Sequence, residues 1–138
     1  MARKLWIDSN VIIRIITGDP KDLAEEAEEM IHKVEAGELI LRLTPLVVAE
    51  CCWVLASFYE AEPNDISDAL LKFTNGIGVE TEEKSVVQQA LRDYAEKNVD
   101  FIDAYIAAHA KLNPPEDVVT WDRHFKRLGI HHDRPENL

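Results

Sequence analysis

The sequence has little cysteine or glycine and no long apolar run, and each shortage excludes a class of protein. Its 138 residues include only two cysteines, Cys51 and Cys52, which are adjacent and have no CxxC partner. Neither a disulfide scaffold nor a zinc site is therefore predicted, and both thiols are expected to be reduced and in the core. Five glycines and six prolines are too few for collagen or low-complexity disorder. No stretch approaches the roughly 18 apolar residues of a membrane span.

Basic residues are also scarce in this chain. Fifteen Lys and Arg against 26 Asp and Glu give a net charge of −11, which argues against nonspecific binding to nucleic acid or anionic membranes. A nuclease is not excluded, because bound divalent cations change the local charge. The first residues meet Asp8 after three apolar residues and lack the apolar region of a signal peptide. We therefore expect a cytoplasmic protein.

Length and hydrophobic patterning predict one domain over residues 1–138. Short apolar runs, typical of strands, alternate with helical patterns. The predicted strands are 4–7, 39–43, 77–80 and 117–121, and the predicted helices are 11–16, 21–36, 44–59, 63–75, 83–97, 100–112 and 122–128. This order predicts an α/β fold with a parallel sheet covered by helices on both faces.

Four acidic residues stand where local structure alone does not require them. Asp8 and Asp122 follow predicted strands, at the carboxyl ends where ligands bind in parallel sheets. Glu50 and Asp103 are each the only charged residue of an apolar helical segment. Each acid also has a structural interpretation: a helix cap for Asp8 and Asp122, and a favourable first-turn acid for Asp103. Glu50 is either buried in an ion pair or exposed by the rotation of its helix.

Asp100 lies three residues before Asp103, so the two carboxylates face roughly the same side of one helix. Its simplest interpretation is an N-cap, and a metal ligand is the alternative. Carboxylates that converge without basic partners repel one another. Such an arrangement is favourable chiefly when the carboxylates bind a hard cation. Mg²⁺ or Mn²⁺ held in this way stabilises the attacking and leaving oxygens of phosphoryl transfer.

The same residues lie in motifs that resemble those of the PIN-domain nucleases. The motifs are Asp8-Ser9-Asn10 after a strand, a lone Glu50, Asp103 in the run 102–108, and Thr120-Trp121-Asp122-Arg123-His124-Phe125. Within that family the chain looks most like the VapC-type toxins of toxin–antitoxin pairs. The resemblance implies a three-layer α/β/α sandwich with a central parallel sheet. It also implies RNA cleavage with Mg²⁺ or Mn²⁺ bound by Asp8, Glu50, Asp103 and Asp122, with supporting roles for Ser9, Asn10 and Thr120.

The resemblance further implies a homodimer and a small antitoxin partner. A surplus of apolar residues between 53 and 73 is a candidate contact surface: Trp53, Phe58, Tyr59, Leu70, Leu71 and Phe73. RNA affinity would have to come from a local basic patch, since the chain as a whole is acidic. The candidates for phosphate contacts are Arg14, Arg123, Lys126 and Arg127, for each of which a solvated helix face is the alternative.

Other functions remain open from the sequence. The chain could be a binding module of the same fold whose acids are structural or degenerate, or an RNA-processing nuclease outside any toxin–antitoxin pair. A phosphatase with Asp8 as nucleophile is a weaker alternative, because position 10 is Asn10 where such an enzyme needs a second aspartate.

Overall fold

A computed structural model describes residues 1–138. The chain divides into two compact units, Met1–Lys84 and Ser85–Leu138. The prediction of a single domain over the whole chain stays a prediction. No helix of either unit combines the length and the apolar content needed to cross a membrane.

The first unit contains a three-stranded parallel sheet. The strands are β1 (Arg3–Trp6), β2 (Leu39–Leu43) and β3 (Val79–Thr81), with β2 in the middle. The central strand supplies the fully buried Leu41 and Leu43, which explains its continuous apolar pattern. Because the strands are parallel, their carboxyl ends lie at one edge of the sheet.

Four helices complete the first unit: α1 (Ser9–Thr17), α2 (Lys21–Glu35), α3 (Pro45–Ser57) and α4 (Pro63–Thr74). The start of α3 is set locally, because the Thr44 side chain accepts a hydrogen bond from the Val47 amide at 3.4 Å and a proline follows at the first helical position. Consequently α3 begins directly after β2, and the second turn of the helix carries Glu50 near the carboxyl end of the sheet.

The second unit contains α5 (Lys84–Glu96), apart from its first residue, together with α6 (Phe101–Leu112) and a small parallel pair of strands, β4 (Val118–Val119) and β5 (His132–Asp133). A 3₁₀ helix, Arg123–Leu128, connects the two strands, and another follows at Pro135–Asn137. The core of this unit is formed by apolar side chains from both α-helices and the first 3₁₀ helix, among them Val87, Leu91, Phe101, Ala104, Phe125 and Leu128.

The predicted α/β fold with a parallel sheet is confirmed, and the order of helices and strands is consistent with a three-layer α/β/α arrangement. Two predictions near the C-terminus are wrong in detail, and one strand there was missed. The strand expected at 117–121 is only two residues long, the helix expected at 122–128 is 3₁₀, and β5 was not predicted. Strands this short carry too little alternation to be recognised by periodicity.

Candidate active site

Asp8 lies at the carboxyl end of β1, one residue after the buried Ile7. It is the N-cap of α1, and its Oδ1 accepts a hydrogen bond from the Val11 amide at 3.2 Å. The cap interpretation of Asp8 is therefore confirmed. The bond uses only Oδ1, and the side chain is exposed, so Oδ2 remains available to a ligand.

Ser9 connects this strand end to α3. Its buried side chain donates a hydrogen bond from Oγ to Oε1 of Glu50 at 2.5 Å. Glu50 itself is exposed, so the alternative in which its helix turns it outward is correct and the buried ion pair is wrong. A short bond from a hydroxyl to a carboxylate is charge-assisted, and it fixes the orientation of the Glu50 side chain.

The buried thiol of Cys51 is influenced by the charges of two candidate acids. Burial raises the pKa of Cys51 to about 12, and the nearby charges of Glu50 and Asp8 contribute to the rise. Burial also raises the pKa of Cys52. Both cysteines are buried and free, as the sequence predicted, and both stay protonated near neutral pH. Two of the four candidate acids thus act on the same buried sulfur atom.

The other two candidate acids form a pair in the second unit. Asp103 lies in the first turn of α6 and shares a hydrogen bond with Asp122. Partial burial raises the pKa of Asp103, and the charges of Asp122 and Asp100 and the hydrogen bond to Asp122 raise it further. The pair therefore holds a proton more tightly than an isolated carboxylate does, as expected of like charges placed close together.

Backbone contacts and a histidine hold Asp122 in place. The Asp122 amide donates to Oγ1 of Thr120 at 2.9 Å, and Oδ1 of Asp122 accepts from the His124 amide at 2.8 Å. Nδ1 of His124 also lies 3.3 Å from the same Oδ1, so Asp122 does have a potential countercharge, contrary to the sequence-based expectation. The spacing Asp-x-His at the start of a helix was the signal that could have revealed this contact.

Asp100 occupies the N-cap position of α6, but its side chain accepts no hydrogen bond from the helix. The predicted N-cap position of Asp100 is therefore confirmed, but its carboxylate makes no capping hydrogen bond. The side chain is exposed, and its charge acts on Asp103. Its effect is thus electrostatic, on the pair formed by Asp103 and Asp122.

The basic candidates differ in their surroundings. Arg127 is already engaged, since its Nη1 donates to the Asn98 carbonyl at 2.8 Å. Nε of Arg14 is buried and has no hydrogen-bond partner. By contrast, Arg123 and Lys126 are exposed, form no ion pair, and line a cavity beside Asp122. Asn10, the remaining supporting candidate, is exposed on α1 next to Asp8.

Neither unit by itself gathers three or more His, Cys, Asp or Glu side chains in an arrangement that could hold a metal ion. Each unit does supply two candidate carboxylates, Asp8 and Glu50 in the first unit and Asp103 and Asp122 in the second. Mg²⁺ commonly binds through one or two carboxylates, several waters and a substrate phosphate, and it does not require an all-protein cage. The donor sets around Glu50 and around Asp103 fit that requirement.

Comparison with known proteins identifies a family. Residues 5–130 match the family model described as the PIN domain, and this range contains all four candidate acids and Asp100. The chain is also similar to a protein named VapC ribonuclease from Aquifex aeolicus (strain VF5). The two are 23% identical over 124 residues, which cover 90% of this chain and 91% of the relative.

Proposed function

Because this chain belongs to the PIN-domain family, we propose that it is a Mg²⁺- or Mn²⁺-dependent endoribonuclease and the toxin of a toxin–antitoxin pair. The observation that carries the proposal is the carboxylate pair Asp103–Asp122, in which the pKa of Asp103 is raised by partial burial and by neighbouring negative charge. Such a pair stores an unfavourable repulsion that a divalent cation relieves. The two buried free thiols suit the reducing cytoplasm, where we place the protein.

The proposal assigns metal binding to Asp8, Glu50, Asp103 and Asp122, with Asp100 as a further candidate. A bound divalent cation would supply activation of water and neutralisation of charge on the phosphate that is cleaved. The chain itself orients the oxygen donors. Backbone amides hold one oxygen each of Asp8 and Asp122, and the Ser9 hydroxyl holds Oε1 of Glu50. This pre-organisation lowers the entropic cost of assembling the site.

Ser9→Ala tests the supporting role of the serine. The substitution removes the hydrogen bond to Glu50, whose carboxylate then samples several rotamers. We expect single-turnover RNA cleavage to slow by about 10- to 100-fold, the usual effect of losing a group that orients a metal ligand. Ser9→Thr keeps a hydroxyl and should retain most of the rate. Equal rates for Ser9→Ala and the wild type would contradict the role.

We propose that the antitoxin binds a groove of about 610 Å³ in the first unit. Apolar side chains from α1, α2, α4 and the segment before β3 line it, among them Ile15, Ile31, Val34, Phe73 and Ile77. Ile77 is 94% exposed, so its side chain is available for contact with a partner. A groove of this kind accepts the apolar face of an amphipathic helix. Of the contact residues expected from the sequence, Phe73 lines the groove, whereas Leu70 is part of the core.

The groove can be tested by co-expression with the product of a neighbouring short reading frame. Ile77→Glu places a charge in the apolar groove, and we expect it to abolish co-purification of that product. Leu112→Glu is the matched control, since Leu112 is an exposed leucine at the end of α6, outside the groove. Retention of the partner by Ile77→Glu would contradict the assignment of the groove.

We also propose that the protein is a homodimer. Trp53 and Phe58 are 70% and 75% exposed, so they are available for a contact with a second copy. Light scattering that finds only monomer at micromolar concentration would contradict the dimer and leave the antitoxin proposal standing.

A further inference from the structure

Asp103 and Asp122 share a hydrogen bond although they come from different elements of the second unit. Asp103 lies in the first turn of α6, and Asp122 is the N-cap of the 3₁₀ helix Arg123–Leu128. This 3₁₀ helix contacts α6 and buries its apolar side chains. Apolar contact is not directional, so it brings two helices together without fixing how one slides along the other. The distance between the two carboxylates therefore needs a further, directional contact.

A hydrogen bond from Arg127 joins the two elements near the carboxylates. Its Nη1 donates to the main-chain carbonyl of Asn98 at 2.8 Å. Asn98 lies in the turn between α5 and α6, two residues before the N-cap Asp100. A hydrogen bond depends strongly on distance and angle, and a guanidinium donor makes it charge-assisted. Arg127 thus holds the start of α6, and with it the turn that carries Asp103, against the 3₁₀ helix.

The backbone of this turn fixes the direction of the Asn98 carbonyl. Asn98 has a φ of +51°, in the left-handed region that few residues other than glycine and asparagine adopt. On one side of it, the Lys97 amide donates to the Asp93 carbonyl at 2.8 Å and continues the bonding of α5. On the other side, Val99 is buried. Because both neighbours are held, the carbonyl has a defined position for its donor.

We propose that Arg127 is a positioning residue of the nuclease, and that its bond to Asn98 keeps Asp103 and Asp122 at the separation that metal binding requires. The inference rests on the proposed function and deepens it by adding a residue that touches neither the cation nor the RNA. It gives Arg127 a role other than the phosphate contact expected from the sequence.

A second hydrogen bond of the same kind provides a matched control. Nζ of Lys111 donates to the Leu128 carbonyl at 2.7 Å, so it also joins α6 to the 3₁₀ helix through a cation and a main-chain oxygen. It does so roughly two turns of α6 beyond Asp103. This bond is partly buried, whereas that of Arg127 is exposed. Its loss should lower Tm at least as much as loss of the arginine bond and leave the carboxylates in place.

The test is calorimetric titration of Mn²⁺ into the full chain without RNA, with a thermal melt of each variant. We expect Arg127→Gln to bind Mn²⁺ about tenfold more weakly, the lower end of the effect of losing a group that orients a metal ligand. Arg127→Lys keeps a cationic donor and should recover part of this affinity. Lys111→Gln should bind Mn²⁺ as the wild type does, although its Tm falls.

Substitution of Asn98 tests the same contact from the acceptor side. Asn98→Val should weaken Mn²⁺ binding as Arg127→Gln does, because a β-branched residue is strongly disfavoured at positive φ and the turn has to rearrange. Asn98→Gly keeps both the carbonyl and the left-handed conformation, so it should bind Mn²⁺ as the wild type does. Equal Mn²⁺ affinity of Asn98→Val and Asn98→Gly would contradict the role of the turn.

Binding of a short RNA in chelator distinguishes positioning from a phosphate contact. A positioning residue leaves the slope of log K against log salt unchanged in Arg127→Gln, whereas loss of one phosphate contact to a single strand lowers it by about 0.7. A lowered slope would overturn the proposal. So would equal Mn²⁺ affinity of Arg127→Gln and the wild type, or equal weakening in Arg127→Gln and Lys111→Gln.

Cleavage by the wild type with Mg²⁺ is measured in parallel, which separates this proposal from the nuclease itself. If the wild type cleaves RNA but Arg127→Gln binds Mn²⁺ as tightly as the wild type, the positioning role is wrong and the nuclease stands. If Mn²⁺ binding weakens in Arg127→Gln and not in Lys111→Gln, yet the wild type cleaves no RNA, the positioning of the carboxylates stands and the nuclease is wrong.

Discussion

Asp103→Asn should reduce single-turnover RNA cleavage by at least about 100- to 1,000-fold, whereas Asp100→Asn should keep a measurable rate. Asp103 shares a hydrogen bond with Asp122 and is partly buried, so its charge acts directly on the proposed metal site. Asp100 is exposed and makes no capping bond, so its replacement removes only a nearby charge. Part of the cleavage rate that Asp100→Asn loses should be recovered at higher Mg²⁺ concentration.

Asp103→Asn should also stabilise the protein when no metal is present. The pKa of Asp103 is raised in the folded state, so the charged form is unfavourable there. The protonated Asp103 side chain therefore contributes to folding stability at a pH below its unfolded-state pKa. That contribution is lost as the pH rises through its folded-state pKa. At neutral pH, Asp103→Asn should therefore raise Tm in chelator by a few degrees at most, because solvent screens a partly exposed group. The difference should disappear in acid.

The measurement is single-turnover cleavage across a Mg²⁺ titration, with thermal melts in chelator. Asp8→Asn, Glu50→Gln and Asp122→Asn should lose cleavage as Asp103→Asn does. Equal and unrecoverable inactivation of Asp100→Asn and Asp103→Asn would show that the ranking of these two acids is wrong. A lower Tm for Asp103→Asn in chelator at neutral pH would contradict the repulsion between the carboxylates.

Removal of divalent cations should abolish cleavage by the wild type, and added Mg²⁺ or Mn²⁺ should restore it. The Mg²⁺ concentration at half-maximal rate should rise as pH falls, because protons compete with the cation for Asp103, whose pKa lies above its usual value. The matched measurement is calorimetric titration of Mn²⁺ into the wild type and into Asp103→Asn. Metal-independent cleavage, or equal Mn²⁺ affinity of the two proteins, would contradict the proposed role of these carboxylates.

Much of the fold could be predicted from the sequence, because most elements are long enough to show a period. The helix 21–36 and the strand 39–43 are found at Lys21–Glu35 and Leu39–Leu43. The failures lie in short elements near the C-terminus. The helix expected at 122–128 is 3₁₀, and β4 and β5 are each two residues long and pair through contacts distant in sequence. A separate two-stranded sheet cannot be read from so little alternation.

The candidate acids could be selected from the sequence, but their surroundings could not. Asp8 and Asp122 cap helices as expected, and Glu50 is exposed because of a helix rotation that an apolar sequence cannot reveal. The histidine beside Asp122 and the cavity wall formed by Trp121 depend on side-chain directions in a loop and a 3₁₀ turn. Periodicity says nothing about such directions, so chemistry carried by loops has to be seen in three dimensions.

The most direct test of metal-dependent RNA cleavage compares the wild type with Asp122→Asn, purified by the same steps, on one end-labelled single-stranded RNA. The measurement is the single-turnover time course with Mg²⁺ and with chelator. We expect discrete cleavage products from the wild type with Mg²⁺ only, and none from Asp122→Asn under either condition. Intact RNA in all reactions, or the same products from both proteins, would contradict the account.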